Sequence, residues 1–188
     1  MNDGEEKSEL TLRLADERDV AALVEFNQAM ARETEGRELV PEVITAGVRN
    51  LLRQPQYGFY VVAERAGAGE GASAGTSANA VAEADRGAET GAGAEVAGAL
   101  MVTYEWSDWR NGLVWWIQSV YVKAEWRRRG VYRRLYEFVK SRAAAQGNVR
   151  GFRLYVEKQN HVAQQTYRRL GMEETYYKMF EETPDADG

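Results

Sequence analysis

The segment 113–156 constrains the fold more than any other, because it runs strand, basic turn, helix and strand without interruption. Leu113–Val122 is a long, largely apolar run that includes Trp115, Trp116, Ile117, Val120 and Val122. Lys123–Gly130 is polar and basic and ends in glycine. From there to Gln146 the apolar residues Val131, Leu135, Val139 and Ala143 recur at helical spacing. Phe152–Val156 then alternates, with Phe152, Leu154 and Val156 on one face and Arg153 and Tyr155 on the other. A strand, a crossover helix and a second strand predict a parallel βαβ unit.

The upstream half predicts antiparallel neighbours. Leu10–Leu14 reads as a short strand, and Asp16 caps a helix to about Ala31 with Val20, Leu23, Val24 and Met30 on its apolar face. Pro41 opens a second helix carrying Ile44, Val48, Leu51 and Leu52. Gly58–Glu64 and Val96–Trp106 read as the strands of an expanded hairpin. Between them, residues 66–94 are mostly Ala and Gly, with Val81 as the single β-branched aliphatic and no aromatic residue. Such a stretch buries too little apolar surface to offset its ordering entropy, which predicts a disordered insertion. Downstream, Asn160 caps a helix His161–Leu170, Gly171 stops it, and Thr175–Phe180 reads as a last strand. The expectation is a single domain over 10–181 with flexible tails 1–9 and 182–188. Its fold is mixed α/β: a mostly antiparallel sheet with one parallel pair and helices on both faces.

Composition removes several kinds of function. With no cysteine and one histidine in 188 residues, disulfides, thiolate or multi-histidine metal sites and a cysteine nucleophile are not expected. His161 follows a helix cap and has no paired nucleophile in view, which argues against a Ser-His-Asp triad. A net charge of −5 disfavours a general nucleic-acid coat, although Arg127–Arg129, Arg133 and Arg134 form a local basic patch. No signal segment or membrane-spanning run is apparent, so the expected location is the cytoplasm.

The chemistry concentrates at Gln118–Tyr132, QSVYVKAEWRRRGVY. A strand feeds a basic, glycine-containing turn that opens directly into a helix, whose first N–H groups and positive dipole end face the turn. Gly130 admits close backbone approach, and Arg127, Arg128 and Arg129 add positive charge. Two readings stand for this segment alone: a cradle for a pyrophosphate and a solvated basic turn. It lacks the Gly-Lys-Ser/Thr of a P-loop and the three spaced glycines of a dinucleotide fingerprint.

Arg127–Tyr132 (RRRGVY) resembles the Q/R-x-x-G-x-G/A signature of GNAT-type N-acetyltransferases, and Asn160–Met172 (NHVAQQTYRRLGM) is similar to their N-x-x-A-x-x-x-Y-x-x-x-G-F/M signature. Thr11–Ala15 and Asp19 look like the family's opening strand and helix. Tyr132 departs from the pattern by standing at the Gly/Ala position, so its ring must point away from the cradle. The resemblance implies a GNAT-like fold whose parallel strands splay around acetyl-CoA as co-substrate, without a metal. It implies pantetheine on the backbone of Ser119, Val120, Tyr121 and Val122, and phosphates on Arg127, Arg128, Arg129, Gly130, Val131, Tyr132 and Arg133. Asn160, Ala163 and Tyr167 would touch the cofactor, Asn160 also serving as a helix cap.

Transfer of the acetyl group to a primary amine, by direct attack through a tetrahedral intermediate, needs an oxyanion donor and an acid for the thiolate. The resemblance assigns these to a backbone N–H near Val120 and to Tyr167, whose phenol has an ordinary pKa of about 10. Glu33, Glu35, Glu105 and Gln118 are acceptor-side candidates, together with Asp108, and the base is left open between an acid and a water chain. Trp106, Trp109, Trp115 and Trp116 read first as packing and second as an ammonium pocket. The expected partners are a small-molecule or peptide amine, no nucleic acid, no membrane and, from the family's habit, a second copy in a homodimer. A non-catalytic acyl-CoA-binding module is the competing reading.

Overall fold

The computed structural model describes residues 10–65 and 95–182. The expected insertion 66–94, the tail 1–9 and residues 183–188 of the C-terminal tail lie outside the described residues. The chain divides into two compact units, 1–155 and 156–188.

The first unit is built on a sheet of five strands in the order β1 (Leu10–Leu14), β2 (Gly58–Arg65), β3 (Glu95–Ser107), β4 (Gly112–Val122) and β5 (Val149–Arg153). The first four pair antiparallel and β4–β5 is parallel. This is the mixed, mostly antiparallel sheet expected, with its parallel pair where the strand–helix–strand pattern put it.

Side-chain alternation gives the sheet two apolar faces, and each face takes helices. Helix α1 (Val20–Glu35) buries Val20, Leu23, Phe26 and Ala31, and α2 (Pro41–Arg53), with Pro41 at its start, buries Val48 and Leu51. They form one cluster with Tyr60, Val62 and Ala99 of the sheet. The intervening residues Val61 and Ala63 are fully buried, so they face the other side. There α3 (Val131–Gln146) packs on β2 and β3 through the predicted stripe Val131, Leu135, Val139 and Ala143. Full burial of a side chain such as Leu135 is worth about 1.5–3 kcal/mol, so both faces contribute to one stable layer stack.

Two expectations shift at their edges. Asp16 caps a 3-10 turn, Glu17–Asp19, that leads into α1, and α1 runs on to Glu35. Strand β5 covers Val149–Arg153 instead of Phe152–Val156, because pairing with β4 begins at Val149 and stops at Arg153 while the apolar alternation continues.

The second unit holds α4 (His161–Arg169), with Asn160 at its cap and Gly171 in the left-handed region at φ 87°, as expected of a helix stop. The expected strand Thr175–Phe180 does not form. Tyr176, Tyr177, Met179 and Phe180 are exposed there and make no strand ladder, so strand-forming residue types alone did not suffice. Among the described residues no helix is long and apolar enough to cross a membrane.

Candidate active site

The turn between β4 and α3 is shaped by its backbone. Trp126 is buried in a 3-10 turn, Ala124–Trp126, and anchors the segment while Arg127–Gly130 stay exposed. Arg128 at φ 65° and Gly130 at φ 76° both take left-handed conformations, common for glycine and rare for arginine. The helical ladder starts only at Arg134, whose N–H donates to the Gly130 carbonyl at 3.1 Å. The N–H groups of the first turn therefore precede it. No side chain caps α3, its first turn holds no acid, and a Cβ placed on Gly130 would meet nothing within 4 Å. The result is an open helix N-terminus of positive polarity, suited to an anion.

The arginines around it divide. Arg127 turns back: its Nε donates to the Val122 carbonyl at 2.9 Å and a terminal nitrogen to Glu33 at 2.7 Å, with the guanidinium 5.4 Å from the Tyr121 ring centre. Arg129 lies 5.3 Å over Trp126, and Arg133 pairs with Glu137 at 2.8 Å. Arg134 donates to the Leu10 carbonyl and ties α3 to β1. Much of the basic patch is thus committed to the protein itself, which weakens a nucleic-acid reading. Tyr132 stacks on Tyr136 one turn along α3, with rings 5° from parallel, so its ring follows the helix as the departure from the signature required.

Next to the turn, β4 loses its neighbour on one side. The β4–β5 register ends at Trp116 opposite Arg153, while β4 continues to Val122 paired only with β3. Against β3, Met101 faces Ser119 and Val102 faces Ile117, which leaves Gln118 as an extra residue in a β-bulge. Ser119, Val120, Tyr121 and Val122 follow directly after it on the splayed edge.

In the second unit, Asn160 accepts from the Ala163 N–H at 3.0 Å, so its capping role is realised. Tyr167 lies four residues beyond Ala163 on the same helix face. It is half-buried, and this desolvation raises its phenol above the ordinary tyrosine value. His161 is exposed.

A family model described as the acetyltransferase (GNAT) family matches residues 21–172. The chain belongs to this family. It is similar to a possible acetyltransferase from Clostridium difficile 630, at 36% identity over 94% of this chain and 98% of that one, with a TM-score of 0.72. Two more distant structures share the fold at 14% identity. One is an aminoglycoside acetyltransferase from an uncultured soil metagenomic sample in complex with trehalose, with TM-score 0.65 and coverage of 95% and 99%. The other is an aminoglycoside N-acetyltransferase in complex with CoA, with TM-score 0.62 and coverage of 93% and 95%. No curated protein matches the sequence.

In this GNAT acetyltransferase the acceptor-side candidates are spread out and mostly engaged. Glu33, near the end of α1, accepts from the Tyr121 hydroxyl at 2.9 Å as well as from Arg127. Glu35 is exposed beside Arg37 at 3.6 Å. Glu105 accepts from Trp116 Nε1 at 2.5 Å and from Arg153 at 2.7 Å. Asp108 caps its own turn by accepting from the Trp109 N–H at 2.8 Å.

The four tryptophans do not form one cage. Trp115 is buried among Phe59, Tyr104 and Phe152, Trp116 is half-buried beside Arg153, and Trp106 and Trp109 are exposed. Sequence reasoning missed the narrow cleft between α1 and the sheet, lined by Asn27, Met30, Tyr60, Ser119 and Tyr121 among others. Burial raises the Tyr60 phenol there, against a hydrogen bond with Asn27. Spacing links Asn27 with Met30 on one helix face and Ser119 with Tyr121 on one strand face, but only the fold brings α1, β2 and β4 together.

Proposed function

We propose that this acetyltransferase moves an acetyl group from acetyl-CoA to a primary amine, with residues 10–181 acting as one catalytic domain. The observation that carries the reading is the open start of α3 after Gly130, adjoining the strand edge that β5 leaves unpaired. A diphosphate fits this turn: backbone donors and dipole supply positive polarity, the first turn of α3 holds no acid, and among the described residues nothing lies within 4 Å of a Cβ placed on Gly130.

In this reading the N–H groups of Arg128–Arg133 hold the phosphates, and the backbone of Ser119–Val122 holds the pantetheine arm. Asn160 and Ala163 contribute from α4. Bound acetyl-CoA supplies an acetyl group activated as a thioester. A backbone N–H near Val120 stabilises the negative charge that develops on the acetyl oxygen, which is a large source of acceleration in acyl transfer. The Tyr167 hydroxyl holds the proton taken up by the departing sulfur. Glu33 and Glu105 each already accept two donors, which favours removal of the amine proton through water over either acid acting alone.

The test has two parts. Calorimetry with CoA is expected to show binding, and acetyl-CoA incubated with a panel of primary amines is expected to release free thiol. Absence of CoA affinity in the intact chain overturns the proposal. CoA binding with no thiol release from any amine supports the binding-module reading instead.

A further inference from the structure

Gln118 is the bulged residue of β4, and it stands just beyond the last β4–β5 pair, Trp116 opposite Arg153. At that point the backbone ladder no longer holds β4 from both sides. Side chains replace it. The Gln118 amide nitrogen donates to Thr103 Oγ1 on β3 at 2.7 Å, and the Tyr155 hydroxyl, two residues past β5, donates to the Gln118 amide oxygen at 2.7 Å. Two residues earlier along β4 a second strap joins β3, β4 and β5. Glu105 on β3 accepts from Trp116 on β4 and from Arg153 on β5, and the Arg153 guanidinium lies 5.7 Å from the Trp116 ring centre. The Trp116 and Tyr155 rings stand 6.0 Å apart and join the two straps.

A bulge relaxes the register of the strand that carries it, so the direction of the following N–H groups depends on what pins the extra residue. We propose that Gln118 is a positioning residue, clamped between Thr103 and Tyr155, that sets the bulge and thereby aims the one backbone N–H near Val120 that faces the open edge of β4 at the reacting acetyl group. This rests on the function proposed above and departs from Gln118 as an acceptor contact. Gln118 touches neither substrate; it acts through the strand. Misplacement of a reacting group by about 1 Å can cost on the order of a hundredfold in rate, so loss of the clamp acts on kcat.

Three variants of the full chain test it. Gln118→Leu keeps the size and removes both hydrogen bonds. Tyr155→Phe removes one. Gln118→Glu retains both, because the Thr103 hydroxyl can rotate to donate to the carboxylate. The expected result for Gln118→Leu is a kcat lower by about ten- to a hundredfold, with KM for the amine and Kd for CoA each within about threefold of the parent. Tyr155→Phe should show a smaller loss and Gln118→Glu a near-parental rate. Amide hydrogen exchange at Ser119–Val122 should accelerate in Gln118→Leu and return to the parental rate in Gln118→Glu, a readout that needs no turnover.

Parental exchange in Gln118→Leu overturns the inference even if the parent chain proves inactive, an outcome that would separately sink the proposed function. In an active parent, an unchanged kcat in Gln118→Leu also overturns it. So does a loss confined to KM for the amine, which would make Gln118 an acceptor contact. If Gln118→Leu does not fold, Tyr155→Phe decides by the same readings.

Discussion

Tyr167 occupies the tyrosine position of the second signature, and its half-buried setting on α4 favours the neutral phenol. Desolvation penalises the anion, so the proton stays on at pH values where an exposed tyrosine would begin to lose it. The expected consequence is a rate with no alkaline decline from this group below about pH 10. Tyr167→Phe is expected to lower kcat by roughly two to four decades while CoA affinity in calorimetry stays near the parental value. A parental kcat at saturating amine would remove Tyr167 from the chemistry. The motif placed this tyrosine correctly on a helix after its Asn160 cap, because cap, apolar spacing and glycine stop are all local signals. Its burial was not legible, since burial belongs to whatever packs against the helix.

Among the secondary-structure elements, α3 shows why its start and its buried face could be read early. Its stripe Val131, Leu135, Val139 and Ala143 fixes which face is buried, and the glycine before it fixes where the helix begins. Gly130→Ala is expected to destabilise the fold by only about 1–2 kcal/mol in urea unfolding, through the left-handed φ rather than through a clash. The added methyl enters the space over the turn, so CoA should bind more weakly in calorimetry by about tenfold or more. Unchanged affinity would place the phosphates elsewhere. The arginines were harder to read. RRR looked like one basic unit, but Arg127 is drawn to Glu33, remote in sequence, while Arg129 turns back over Trp126, three residues earlier. The β4–β5 pair was half legible: the alternation at Phe152–Val156 announced a strand, and only the register showed that pairing ends at Arg153.

For the first unit as a whole, one buried ion cluster joins elements that the sequence keeps apart. Arg13 on β1 donates to both carboxylate oxygens of Asp19, at 2.7 and 2.8 Å, and to Glu64 on β2 at 2.6 Å. Its guanidinium is held charged, first by the Asp19 hydrogen bonds and then, against the cost of burial, by Glu64. Asp19 and Glu64 are themselves buried, at 3% and 8% exposure. Arg13→Met would leave two buried carboxylates without their cation, an expected loss of about 3–5 kcal/mol by urea unfolding. Against a typical stability of about 5–15 kcal/mol that is a large share, and a loss under 1 kcal/mol would refute the cluster's role.

The sequence by itself determined the elements whose signals are short-range. These are the βαβ order, the helix caps and stops, the apolar stripes, and the two signatures that led to the GNAT family. Dihedral preference, capping and periodicity act within a few residues, so they survive without knowledge of the partner. The tertiary structure alone decided which charges pair, where the parallel strands part, that Gln118 bridges Thr103 and Tyr155, and that Thr175–Phe180 makes no strand. Apart from short-range pairs such as Arg133–Glu137, those outcomes depend on whether a group far along the chain arrives within hydrogen-bond reach. Local preference carries no information about that arrival.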